Sequence, residues 1–284
     1  MLGRFLWPVA GFAIALLLWS WGCCWQRHAA AAVAVLAYGS AAVMGTRMNE
    51  ANTRRLLGLA WIAHALALLG LLAGPVRFGF APALSVTAWL VVTAYMIETQ
   101  FFPKLKARWA VGSLGATTVA LAWVFPGTLL TTQASAWLPL HFALGLSAYG
   151  MFAAAVVHAW MMTRTEHDIR LAHEGSSGLP LLTLERLTFR FVWAGFALLT
   201  ATLVAGALFG EALYGQSHTE WRWDHKRVFA VLSWLTFATL LVGRSQWGWR
   251  GRRAVRVLYI GAGLLLLSYA GSRFVLEVLI GRAG

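Results

Sequence analysis

The chain carries eight histidines and sixteen tryptophans, and three of those histidines stand where an imidazole could bind a metal. His141 lies in SAWLPLHFALGLSAYGMF, four residues after Trp137, so indole and imidazole share a helix face, with Tyr149 two turns further in. His225 follows Trp221, Trp223 and Asp224 in WRWDHKRVF. His64 sits inside the apolar run WIAHALALLG, about eight residues from its start and so roughly 12 Å deep at the helical rise. A neutral imidazole nitrogen ligates metals readily, and indoles make flat apolar walls. Two imidazoles at one membrane level, beside tryptophans, are what a six-coordinate haem iron requires. Each histidine also has a plainer reading. His141 and His225 are interfacial side chains in that reading, and His64 is a neutral group hydrogen-bonded to a neighbouring helix.

The elements that must position these groups are apolar. Of the 284 residues 60% are hydrophobic and 12% charged, and the mean hydropathy is +0.67. That composition belongs to polytopic membrane proteins, and the expected fold is all-α. Hydrophobic segments are read at 5–25, 29–45, 56–73, 79–97, 109–125, 137–162, 187–209, 226–243 and 255–280. The first follows Arg4 and resembles a signal peptide without a clear cleavage site; it is read as an extra helix. The organisation expected is an extra hydrophobic segment in 1–28 and a transmembrane domain of eight core helices in 29–284. The polar stretch Thr163–Arg186 is read as a cytoplasmic loop with room for a short surface helix, and with His167 and His173 solvated.

The net charge of +13 does not point to nucleic acid, because the basic residues lie mostly in short loops between apolar runs. With a cytoplasmic N-terminus, sixteen of the 23 Lys and Arg fall on the inner side and seven on the outer. The positive-inside rule therefore predicts a cytoplasmic N-terminus, a periplasmic C-terminus, and His141 and His225 both on the outer face. Cys23 and Cys24 are the only cysteines, and their adjacency fits neither a disulfide nor a CxxCH attachment site. Any haem would be b-type and non-covalent. No HExxH, GxSxG or phosphate-cradling glycine loop is present, so no enzymatic reaction is expected.

Several ordered motifs resemble one family. The stretch GALFGEALYGQSHTEWRWDHKRVFAVLSWLTFATLLVGR is similar to the tryptophan-rich "WWD" region of the cytochrome c assembly family, the haem handlers of the CcsA and CcmC type. Gly206, Ala207, Gly215, Trp221, Trp223, Asp224, Lys226 and Trp234 match its pattern. SAWLPLHFALGLSAYGMF resembles the segment that carries the family's outer-face histidine, here His141. The ending GWRGRRAVRVLYIGAGLLLLSYAGSRFV, and His64 in its helix, resemble the bacterial inner-membrane YpjD branch. His225, Arg227 and Phe229 stand where the family has Pro, Glu and Trp, and Ser272 and Arg273 stand where a second outer histidine is expected. His225 as partner to His141 is an inference from position and no part of the family pattern. The resemblance implies a haem-binding inner-membrane protein in c-type cytochrome assembly, with the lipid bilayer and other maturation components as partners. A haem-less scaffold subunit and an ion or small-molecule transporter are the alternatives.

Overall fold

A computed structural model describes residues 28–44, 47–72, 77–102, 107–129, 138–171, 179–208, 225–275 and 278. Each apolar segment expected from residue 29 onward coincides with a helix. These are α1 (His28–Met44), α2 (Glu50–Leu72), α3 (Phe80–Phe101), α4 (Arg108–Val124), α5 (Leu138–Arg170), α6 (Leu181–Leu208), α7 (His225–Trp247) and α8 (Gly251–Leu266). A π-helical turn, Leu267–Gly271, and a last helical turn, Ser272–Phe274, prolong α8. Among the described residues five helices are long and apolar enough to cross a membrane: α3, α5, α6, α7 and α8 with its extension. The hydrophobic segment at 5–25 lies outside the described residues.

The core is built on small residues facing rings. Phe152 of α5 and Phe237 of α7 stack with centroids 3.7 Å apart and planes 5° from parallel. Gly195 of α6 closes one side of this pair, since a Cβ there would lie 3.1 Å from the Phe152 ring. Gly261 of α8 closes the other, where a Cβ would come within 2.7 Å of Phe237. Four helices are thus held through two stacked rings between two glycines. Close backbone approach of this kind drives helix association where solvent contributes no hydrophobic push. Ser233 adds a hydrogen bond from α7 to the Gly261 carbonyl, 2.9 Å. On α4, Gly115 receives the Tyr38 ring of α1 in the same way, and Gly112 admits the Tyr38 carbonyl and Ala42.

The outside is apolar as well. Leu59, Ile62, Leu66 and Leu69 form an exposed stripe along α2 at helical spacing. Charged contacts gather at helix ends, where Arg244 of α7 meets Glu185 of α6 and Arg108 of α4 reaches Glu50 of α2.

Two sequence expectations change. The stretch 163–186 is not a loop throughout, because α5 continues to Arg170 and α6 starts at Leu181. Arg170 bonds Glu166 one turn back, so this extension sustains itself with charged side chains. His167 lies on the extension, while His173 is outside the described residues. A two-residue antiparallel pairing was also not foreseen: β1 (Arg77–Phe78) pairs with β2 (Thr128–Leu129), Arg77 opposite Leu129. Gly127 precedes β2 with φ +80°, and a Cβ there would sit 2.6 Å from the Phe78 carbonyl. Both the backbone conformation and the contact require glycine.

Candidate functional site

A cavity of about 360 Å³ opens between α3, α5, α6, α7 and the π-helical turn. Its size falls within the range usual for small-molecule sites, roughly 300–1,000 Å³. His141, Gly145 and Tyr149 line it from one face of α5, at i, i+4 and i+8. Thr202 and Gly206 line it from α6, also one turn apart. The glycines make the room. A Cβ on Gly206 would lie 3.4 Å from Cε1 of His141, and one on Gly145 would lie 3.6 Å from Thr202 Cγ2. Phe142 and Phe78 stack at 5.1 Å and carry the β1 turn to the cavity rim.

The far wall is the π-helical turn, through Ser268, Tyr269 and Ala270. Tyr149 holds it, with its hydroxyl 2.8 Å from Ser268 Oγ and also donating to the Leu265 carbonyl. A π-helical turn leaves the regular hydrogen-bond ladder and is often found at functional sites. Lys226 and Arg227 from the first turn of α7 put two cations into a mostly apolar lining, and Lys226 Nζ stands 5.4 Å from the Tyr269 ring centroid. The arrangement offers an imidazole nitrogen, two cations and apolar walls. Among the described residues there is no group of three or more His, Cys, Asp or Glu, so no cluster of side chains there would by itself hold a bare metal ion.

The histidines singled out from the sequence are not all brought together. His141 lies in the cavity wall. His225 is exposed at the start of α7 and is not among the lining residues; its neighbours Lys226 and Arg227 are. His64 is fully buried elsewhere, with Nε2 2.8 Å from Ser85 Oγ of α3 and Nδ1 3.4 Å from the Tyr38 hydroxyl of α1. Both of its ring nitrogens are engaged, and it ties three helices together. Trp137, Trp221, Trp223 and Asp224 lie outside the described residues. Sequence reasoning passed over the lining roles of Arg227, Gly145 and Ser268; the two small residues on cavity-facing positions were the available signal.

Most of the chain has counterparts among known proteins. The profile of a family described as "Cytochrome C assembly protein" matches residues 53–280. The "Cytochrome c biogenesis protein CcsA" of Synechococcus elongatus is 28% identical over 262 residues, covering 81% of this chain and 79% of that protein. "Inner membrane protein YpjD" of Escherichia coli K12 is 30% identical over 165 residues, covering 57% of this chain and 60% of that protein. No solved structure matches the chain.

Proposed function

This chain belongs to the cytochrome c assembly protein family, and from that premise we propose that it is a multi-pass inner-membrane protein that binds haem beside His141 and handles it in the assembly of c-type cytochromes. The observation that carries this reading is the placement of His141 in the wall of a 360 Å³ apolar cavity that also receives Lys226 and Arg227. These residues fit the group. The His141 imidazole would bind the iron, the two cations would pair with the propionate carboxylates, and Phe142, Leu199 and Leu203 would exclude water. Haem, when bound, supplies an iron that accepts an imidazole nitrogen. The chain's own residues bind and orient the group, and the role proposed is non-enzymatic.

All eight described helices cross the bilayer in this reading, α1, α2 and α4 included. The exposed apolar stripe of α2 supports that for α2, since such a face suits lipid and not water. The cavity lies toward the periplasm and the Glu185–Arg244 end toward the cytoplasm, in keeping with the basic asymmetry. Reporter fusions at Gly284 and within Gly175–Gly178 should report opposite sides, and equal activity of both would overturn the orientation. The partners are lipid and other maturation components; nucleic acid has no part in it.

A second reading, a haem-less scaffold subunit, draws on one observation: His141 is the one histidine among the described lining residues. The absorbance spectrum of detergent-purified protein separates the two. The expected result is a haem spectrum that changes in His141→Ala and is partly restored by added imidazole. Purified protein that takes up no haem favours the scaffold.

A further inference from the structure

A second polar site lies at the other end of the two helices that wall the cavity. Glu98 of α3 follows the cavity residue Ala83 by about 22 Å of helix. It is 7% exposed and meets His158 of α5, 4% exposed, with Oε2 at 2.9 Å from Nε2. The other ring nitrogen fixes the chemistry. Nδ1 of His158 lies 2.8 Å from the Ala154 carbonyl, which only accepts, so Nδ1 carries a hydrogen and donates it. In the neutral ring Nε2 is then a bare acceptor, and both oxygens of an ionised Glu98 are acceptors too. Among the described residues none of these three buried atoms receives a directed hydrogen bond from the protein.

Tyr95 of α3, Ala107 just before α4 and Val111 of α4 line an adjoining cavity of about 10 Å³ together with Glu98 and His158. That space is roughly the size of one water. The first residue of α4, Arg108, turns its guanidinium to Glu50 of α2 at 3.4 Å. From α6 the Phe191 ring stands 5.2 Å from the His158 ring. Three converging acceptors in apolar surroundings call for a proton or a cation. A structural divalent ion takes about four ligands, and among the described residues no cluster of even three is present.

We propose that Glu98 and His158 form a proton-binding site that takes up one proton between Oε2 and Nε2. That proton turns an acceptor-only contact into a donor–acceptor contact and clamps α3 to α5. With the proton on Nε2 the site is an imidazolium facing a carboxylate; with it on Oε2 it is a carboxylic acid donating to a neutral ring. Either form is net neutral. Loss of the proton leaves one negative charge in the apolar interior, and gain of a second leaves one positive charge.

The test is NMR of the full chain in nanodiscs, with nitrogen-labelled histidine and carbon-labelled glutamate, assigned through Glu98→Gln and His158→Gln. In neutral buffer the wild-type spectra should account for one proton over the two side chains: either a doubly protonated His158 with an ionised Glu98, or a protonated Glu98 with a singly protonated His158. An ionised Glu98 together with an unprotonated Nε2 overturns the proposal. So does a shift of either signal on adding a chelator, which would mean a metal ion occupies the site. Glu98→Gln offers an amide N–H in place of the proton and should unfold at the wild-type temperature. Should that variant fail to fold, the wild-type spectra assigned through His158→Gln still decide.

Discussion

The hydroxyl of Tyr149 lies 2.8 Å from Oγ of Ser268 and at the same time donates to the Leu265 carbonyl, so one side chain of α5 holds the π-helical turn against the cavity. Tyr149→Phe removes that hydroxyl and keeps the ring. The expected loss of stability is about 0.5–1.5 kcal/mol, the net worth of one hydrogen bond, because Ser268 Oγ still donates to the Leu265 carbonyl. Thermal unfolding in detergent measures it, and an unchanged midpoint would mean that the turn is held by other contacts.

Gly206 tests where haem sits. A single methyl at this position meets His141 at an ordinary contact distance, so Gly206→Ala should be tolerated. Gly206→Leu extends into the cavity beside His141 and should abolish haem retention while the protein still folds. Bound haem per purified protein is read from absorbance. Full occupancy in the leucine variant would place haem elsewhere.

Lys226 and Arg227 enter the same cavity from α7. A charge-assisted hydrogen bond contributes about 1.5–3 kcal/mol, so replacing either residue by Glu should weaken haem binding by roughly tenfold or more. The same change at Arg256, on exposed α8 surface, should have no effect. Haem titration of the purified variants gives the comparison; equal affinities would remove the propionate role.

His64→Ala separates a structural histidine from a ligand. It strips Ser85 Oγ and the Tyr38 hydroxyl of their partner, at an expected cost of about 1–3 kcal/mol for each buried group left unsatisfied. The expectation is earlier thermal unfolding with the haem spectrum unchanged. A changed spectrum at wild-type stability would instead make His64 an axial ligand.

The helices were legible because long apolar runs between basic loops leave few other structures open to the chain. Their ends were less so. The charged residues after Thr163 read as a loop, yet Glu166 and Arg170 are spaced to continue a helix in water. His141 could be placed in advance because Trp137, Tyr149 and the neighbouring motif all point to one helix face. Contacts between distant segments left no comparable trace. His64 meets residues 26 and 21 positions away in the sequence, and nothing local distinguishes Glu98 and His158 as a pair. The choice of Lys226 over its neighbour His225 as a cavity residue turns on a single step around the helix. Gly127 shows the same limit, since its need arises from Phe78, which joins it only through the strand pairing.

The cavity wall draws on residues from Phe78 to Ala270, roughly two thirds of the chain. Synthesis proceeds from the N-terminus, so His141 leaves the ribosome more than a hundred residues before the turn that closes the far wall. During that interval the imidazole exists without its pocket. If the cavity holds haem as proposed, capture therefore awaits the finished chain, and a product truncated before Ser268 should retain none.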